Sequence, residues 1–570
     1  VDIIQIKNLT ISFSANPEHC ALQGINLSIP KASIMGLVGE SGSGKTLTGY
    51  SLLRLLPKTA VVKSGAIQFI KEGQVLNLLE LPEEPLRSIR GRHISMIFQE
   101  AMSALNPILR CGDQVTEVIK AHFNYPTATM KDMVLDTYQK VGLKDPLRIY
   151  QSYPFELSGG QVQRVLIAQA IINKPSLIIA DEPTTALDVN MQKKVVELLQ
   201  NVQQETNCSI LFISHDLGLI RELCSSVAVM HKGQVVEMDI ASNIYQHAKN
   251  PYTKSLMLCK PPLRKKVKKL ISIEEIATKP NEQVRFEVIN TTELNQKKEK
   301  LFASPSILDV QNLHVAYQKQ SLFGFQKQPM LTAVTDVSFK IRSGEVLGLV
   351  GESGSGKSSI GKSIVRLINP TSGSILFNGQ DMSKLSDNHL KPLRKEIQMV
   401  FQDPYSSLNP RQKIGMAIQE PMEIHKLFAN QNERKAKAIE LLQAVGLSAD
   451  HYHRFPHQFS GGQRQRICIA RALSVNPKLL VCDEPVSALD VSVQAQILNL
   501  FKVLQDQYQL SYLFISHDLA GVHYMADRII VLQNGKTVEE GWASELIQNP
   551  QTSYTASLID ASPKDFAIAL

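Results

Sequence analysis

The sequence predicts an α/β fold written twice in one chain. Three observations carry that prediction. A glycine-rich loop between an apolar strand and a helical segment occurs twice, a set of short polar motifs follows each copy in the same order, and the spacings nearly coincide. At 570 residues the chain is too long for one core, and the duplication divides it into halves.

The loop is Gly39-Glu40-Ser41-Gly42-Ser43-Gly44-Lys45-Thr46 in the first half and Gly351-Glu352-Ser353-Gly354-Ser355-Gly356-Lys357-Ser358 in the second. Each follows an apolar run, Ile34 to Val38 or Val346 to Val350, and opens onto a helical pattern, so strand, loop and helix stand in the order of a P-loop. Glycines let the backbone curl so that N–H groups face phosphate oxygens, with the positive end of a helix behind them. Lys45 and Lys357 would reach the β- and γ-phosphates, and Thr46 and Ser358 would offer a hydroxyl to Mg²⁺.

Around these loops the chain reads in order. Residues 3–13 and 25–29 alternate like paired strands ahead of the first loop. Phe13 ends the first strand and Tyr317 is its counterpart; either is an ordinary strand aromatic or a ring that stacks on adenine. The second half carries about eight extra residues after Tyr317, around Leu322-Phe323-Gly324-Phe325, expected as a surface loop. A helix at about 45–55 follows the first P-loop. Gln99 and Gln402 end the apolar strands Ile97-Phe98 and Val400-Phe401, where an amide can reach both Mg²⁺ and an attacking water. Helical patterns at 113–122, 130–142 and 433–446 predict a helical subdomain inserted in each half.

That subdomain ends at Ser158-Gly159-Gly160-Gln161 and Ser460-Gly461-Gly462-Gln463. Each opens a helix, 161–172 or 463–473, with serine as its cap and a second anion-binding start. Then apolar strands end in carboxylate pairs, Asp181-Glu182 and Asp483-Glu484. The first acid is placed for Mg²⁺ and the second for polarising water, and strand alternation would aim them apart. Ala186-Leu187-Asp188 and Ala488-Leu489-Asp490 follow. Last come His215 and His517 at strand ends, read either as γ-phosphate contacts or as solvated loop histidines. Lysine to glutamine spans 54 residues in the first half and 45 in the second, glutamine to serine 59 and 58, serine to aspartate 23 in both, aspartate to histidine 34 in both.

Composition sets the remaining bounds. No apolar run reaches the ~18 residues of a membrane span, and the first residues look like a strand rather than a leader. The seven cysteines are scattered with no CxxC pair, which argues against zinc, an iron–sulfur cluster or a disulfide framework. Net charge is +8, and residues 260–300 alone hold eleven Lys or Arg against six Glu. Arg264-Lys265-Lys266-Val267-Lys268-Lys269 is expected to be a solvated linker, with attraction to an anionic membrane surface as the alternative. No domain shows the basic, aromatic face that nucleic acid requires, so no nucleic-acid partner is expected.

Taken together, these motifs resemble the nucleotide-binding domains of ABC-type ATPases: Walker A, Q-loop, signature, Walker B, D-loop and H-switch, twice. The extended Phe401-Gln402-Asp403-Pro404-Tyr405-Ser406-Ser407-Leu408-Asn409-Pro410 and the tail Asn250-Pro251-Tyr252-Thr253-Lys254 resemble the oligopeptide/dipeptide/nickel importer subfamily, above all its fused ATPases of microcin-C, glutathione or short-peptide importers. In the first Q-loop Ala101 stands in place of proline, and Asn549-Pro550-Gln551-Thr552 is a weaker echo of the tail.

The resemblance implies two P-loop NTPase domains in tandem, at 1–258 and 305–560, separated by a linker at 259–304 and followed by a tail at 561–570. Each would have a β-rich N-terminal part, a RecA-like core and an inserted helical subdomain. It implies ATP and Mg²⁺ as ligands, with the two halves meeting head to tail so that each ATP lies between the Walker motifs of one half and the signature of the other. It implies hydrolysis served by Gln99, Glu182, His215, Gln402, Glu484 and His517. It implies two permease partners, a periplasmic solute-binding protein and a peripheral place on the cytoplasmic face of the inner membrane. A soluble translation factor acting on ribosomes is the alternative. Such proteins carry a long charged helical arm, whereas this linker holds Pro261, Pro262 and Pro280.

Overall fold

The structure, a computed structural model, describes residues 2–14, 16–71, 73–184, 187–278, 285–317 and 330–563. It forms two compact units, of which the first holds the described residues up to Leu258 together with 273–278, and the second holds 259–272 and 285–563. The extra loop around Leu322-Phe323-Gly324-Phe325 lies outside the described residues, as do Ala186, Pro280 and the tail beyond residue 563.

Each unit has the same two sheets. In the first, the four-stranded sheet pairs Asp2–Phe13 antiparallel with Asn16–Pro30 and with Ala60–Lys71. The six-stranded sheet runs Gln234–Ile240, Ser226–His231, Ile34–Val38, Ser209–Ser214, Leu177–Asp181, Ile94–Ile97. Its strands are parallel except for the outer pair. Ile34–Val38, Leu177–Asp181 and Ser209–Ser214 are buried at every residue, which is why they read as unbroken apolar runs without alternation. The second unit repeats this around Val346–Val350, Leu479–Asp483 and Ser511–Ile515. In such sheets ligands bind beyond the carboxyl ends of the strands, and the P-loops, Gln99 and Gln402, the carboxylate pairs and His215 and His517 all sit at those ends.

The inserted helices occupy Cys111–Lys120, Thr127–Lys140, Pro146–Gln151 and Gly159–Ile171 in the first unit, and Ile414–Ile424, Gln431–Ala444 and Gly461–Leu473 in the second. The helix expected at 130–142 ends earlier because Gly142 turns left-handed at φ +72° and closes the last carbonyls. The first P-loop helix likewise stops at Leu52 rather than 55, just ahead of Arg54 at φ +52°. Two 18-residue helices, Val189–Thr206 and Val491–Tyr508, follow the Asp188 and Asp490 loops and have no counterpart in the sequence-based expectation.

The basic segment corrects that expectation. It packs on the second unit rather than standing in solvent. Leu263, Val267, Leu270 and Ile271 are buried, Val267 bridges Val288, and the Asn499 side chain both accepts from Leu270 N–H (2.9 Å) and donates to Leu270 C=O (2.8 Å). Lys502 donates to Val267 C=O at 3.2 Å, and Lys266 donates to Ala526 C=O. Four apolar residues among five Lys and Arg suffice to bury one edge while most of the cations stay outside. The helix Thr291–Ala303, absent from the sequence-based reading, starts at an Asn290/Glu293 capping box. Among the described residues no helix is long and apolar enough to cross a membrane.

Candidate nucleotide sites

Each P-loop turns between the central strand and its helix through a glycine at φ +101° (Gly44) or +100° (Gly356). A Cβ there would lie 2.5 Å from the Leu22 side chain or from Ala333 C=O, so both conformation and space demand glycine. Lys45 Nζ donates to the carbonyls of Gly39 (2.8 Å) and Glu40 (3.0 Å), and Lys357 Nζ to those of Gly351 (2.7 Å) and Glu352 (2.8 Å). The ammonium thus lies along the loop, which wraps it with its own carbonyls.

The strand ends bring the other residues together. Thr46 Oγ1 donates to Asp181 Oδ1 at 3.1 Å, and Ser358 Oγ to Asp483 Oδ1 at 2.8 Å. Gln99 Nε2 donates to Glu182 Oε2 at 3.1 Å, and His215 Nδ1 lies 3.2 Å from the same oxygen. In the second unit Gln402 and His517 meet Glu484 Oε2 at 2.9 and 3.2 Å. Five residues spread over 169 positions in the first unit and 159 in the second therefore form two hydrogen-bonded groups set side by side through the adjacent aspartate and glutamate.

The glutamates are aimed differently from expectation. Strand alternation does not separate them from the aspartates, because each strand ends at the aspartate and the glutamate turns left-handed, at φ +46° (Glu182) and +47° (Glu484). A non-glycine residue there costs on the order of 1–3 kcal/mol, held by the sheet bond from each glutamate N–H to Ile213 or Ile515 C=O.

Electrostatics follow from burial. Burial pushes the Asp181 carboxyl up to about 6, the Thr46 hydroxyl opposes this, and the Glu182 charge adds to it. Burial raises Asp483 in the same way. Glu484 goes the other way. Burial works to raise it, but the hydrogen bond and charge of His517 hold it below the usual carboxylate range, while Glu484 carries His517 above its ordinary value against burial.

Three buried oxygens suit a phosphate and a divalent cation. Ser43 Oγ and Ser355 Oγ inside the loops, and Asp181 Oδ2 beside the Thr46 hydroxyl, have no hydrogen-bond partner. A hydroxyl bonded to one oxygen of a carboxylate whose other oxygen is unsatisfied is a hard-cation donor set.

The signature stands apart from that group. Ser158 and Gln161 cap Gly159–Ile171 reciprocally, Ser158 N–H donating to the Gln161 side chain (3.0 Å) and Gln161 N–H to Ser158 Oγ (3.4 Å); Ser460 and Gln463 repeat this. A Cβ on Gly160 or Gly462 would strike Met191 or Val493 of the next long helix at 2.7 or 2.4 Å, so the second glycine serves packing, whereas a Cβ on Gly159 would meet open space. Tyr317 places its hydroxyl 2.9 Å from Ser359 Oγ, beside the second P-loop, and Phe13 ends its strand opposite Asn16 and Ala60.

Sequence reasoning missed Gln192 and Gln494. Gln192 Nε2 donates to the carbonyls of Thr184 (3.3 Å) and Leu187 (3.1 Å), and Gln494 Nε2 to those of Val486 (3.0 Å) and Leu489 (2.9 Å). Each amide braces the loop just beyond the glutamate. The only sequence signal is that each lies four residues after Asp188 or Asp490.

One family model, the ABC transporter, matches residues 22–185 and again 334–487, more than half the chain. The chain belongs to the ABC transporter family. A second model, the oligopeptide/dipeptide transporter C-terminal region, matches residues 236–286, the region of the Asn-Pro-Tyr-Thr tail. The glutathione import ATP-binding protein GsiA of Salmonella paratyphi A is 39% identical over 573 residues, covering 99% of this chain and 90% of GsiA. The uncharacterized ABC transporter ATP-binding protein YejF of Escherichia coli strain K12 is 40% identical over 564 residues, covering 98% and 99%. Nothing in these likenesses favours the translation-factor alternative. As an ABC transporter chain it carries two ATP-binding cassettes, and each hydrogen-bonded group described above lies within one of them.

Proposed function

We propose that this protein is the ATP-hydrolysing motor of an importer for peptides or related small solutes, glutathione among them. The observation that carries the reading is the duplicated meeting of glutamine, glutamate and histidine beside a P-loop, in a chain collinear with an importer subunit over nearly its full length.

In each cassette the P-loop residues would bind the ATP phosphates and Phe13 or Tyr317 the adenine. Thr46, Gln99 and Asp181, and likewise Ser358, Gln402 and Asp483, would hold Mg²⁺, whose charge when bound offsets that of the phosphates. Glu182 and Glu484 would take a proton from water as its oxygen bonds to the γ-phosphorus and the bridging oxygen departs with ADP. His215 and His517 would orient the γ-phosphate, and the signature residues would supply a second anion contact at a helix start. The motor would work from the cytoplasmic face of the inner membrane on two permease subunits served by a periplasmic solute-binding protein.

Glu182→Gln with Glu484→Gln tests the chemistry. ATP binding should persist while turnover falls about 10²–10⁴-fold, the usual cost of a lost general base. Each single variant should keep part of the rate. Wild-type turnover in the double variant would sink the assignment.

A further inference from the structure

The tail that follows each cassette reaches back to its P-loop. Tyr252, on the helix Pro251–Leu258, is buried, and its hydroxyl accepts the backbone N–H of Glu40 at 3.2 Å and donates to the Glu40 carboxylate at 3.3 Å. In the second unit Tyr554, on the helix Ser553–Ala561, accepts the N–H of Glu352 at the same 3.2 Å. Glu40 and Glu352 are the loop residues whose carbonyls receive Lys45 and Lys357. One residue of each P-loop is thus held at both ends, its N–H by a tail tyrosine and its C=O by the loop lysine.

The segments that carry the tyrosines are each held by a glutamate and capped by their first polar side chain. Glu237 accepts the N–H groups of Lys249 (2.6 Å) and Asn250 (3.2 Å), and Asn250 Oδ1 accepts Tyr252 N–H (2.9 Å). Glu539 accepts those of Gln551 (2.9 Å) and Thr552 (3.1 Å), and Thr552 Oγ1 accepts Thr555 N–H (3.2 Å). The true counterpart of Asn250-Pro251-Tyr252-Thr253 is therefore Thr552-Ser553-Tyr554-Thr555, three residues beyond the sequence echo at Asn549-Pro550. Thr253 and Thr555 are both buried.

We infer that Tyr252 and Tyr554 are positioning residues for ATP, holding the first peptide of each P-loop in the orientation that leaves the lysine and the following N–H groups set for phosphate. This rests on the function proposed above. When Lys45 or Lys357 leaves its loop carbonyl for a phosphate oxygen, the tyrosine hydroxyl still holds the N–H side of that residue, while its carbonyl keeps the Ser43 or Ser355 N–H, and without the hydroxyl the first peptide of the loop must be ordered at the expense of nucleotide affinity.

The test uses the full chain with Tyr252→Phe, Tyr554→Phe and both together. Phenylalanine keeps the ring, including its packing against His231 with centroids 3.9 Å apart, and removes only the hydroxyl. Loss of the hydroxyl's bond to the loop N–H, and at Tyr252 also of its bond to the Glu40 carboxylate, predicts a KM for ATP, and a Kd for a fluorescent ATP analogue, raised about 2–10-fold per site, with kcat within about twofold. Tyr245→Phe, which removes a buried hydroxyl bond to Leu217 C=O away from the loop, is the control for a merely structural effect and should leave KM unchanged. Wild-type KM in the double variant, or equal KM changes in the control, would overturn the inference while the function stands. A wild-type chain that fails to bind ATP would overturn both.

Discussion

At the scale of the residue, the pair Glu484 and His517 offers a titration that needs no nucleotide. His517 sits above its ordinary 6.5 because Glu484 accepts from it, and Glu484 sits below its ordinary 4.5. The histidine's raised value stabilises the fold at low pH and is lost as pH rises through it; the glutamate's depressed value stabilises at higher pH and is lost as pH falls through it. The pair is therefore most effective between 4.5 and 6.5. In Glu484→Gln burial, aided by the Lys357 charge, acts on His517 against only the smaller pull of Asp518, and its midpoint should fall below 6.5. An NMR titration of the imidazole, assigned by its disappearance in His517→Gln, checks this; an unmoved midpoint would refute the pairing. The residues that meet at the strand ends were legible because each motif carries its residue types at fixed spacing. Gln192 and Gln494 were not, because an amide bracing two carbonyls looks like any polar residue on a helix surface. Nor was the left-handed turn at the glutamates, because no residue type signals it.

At the scale of the element, the buried parallel strands were legible as short apolar runs, and the signature helices as serine-capped ones. The linker was misread because its charges outnumber its apolar residues, yet the apolar ones find a groove beside Asn499 and Tyr524, whose hydroxyl donates to Asn499 Oδ1 at 2.7 Å. That groove gathers cations. Burial lowers Lys266 to about 8; burial and then Lys266 and Lys297 lower Lys502 to about 7; Asp527, ion-paired with Lys297 at 2.7 Å, faces them along with Asp506, and burial lowers His523 to about 3. Lysines depressed on folding stabilise fully above their unfolded value of 10.5 and lose that contribution as pH falls through 8 and 7. Docking of residues 263–271 should accordingly loosen as pH drops. Hydrogen exchange of Leu270 N–H, corrected for intrinsic rates, should quicken between about pH 9 and about pH 6.5, and Lys502→Met should flatten that dependence. A flat profile in the wild type would show that the lysines stay hydrated.

For the whole molecule, duplication was legible from order and spacing alone, down to the identical 23- and 34-residue gaps. What spacing does not disclose is where the sequence echo and the structural repeat part company, as they do in the tail. No helix among the described residues is long and apolar enough to span a bilayer, and the proposed function would hold the protein at a membrane through its permease partners. The protein should sediment with membranes when a dipeptide-type permease pair is co-expressed and remain in the supernatant otherwise. Equal partition in both cases would count against the importer assignment.

The constant separation of 302 residues, which relates Glu237 to Glu539, Asn250 to Thr552 and Tyr252 to Tyr554, has a use beyond symmetry. Each half is a natural variant of the other, already folded and carried in the same molecule. Where geometry agrees and residue type differs, the chain itself reports what the position tolerates: asparagine or threonine as the tail cap, Thr184 or Val486 under the bracing amide. Where both agree, as at the tyrosine and its glutamate anchor, the same side chain meets the same demand in two surroundings that have otherwise drifted apart. Exchanging such residues between halves is an experiment whose control is built into the protein.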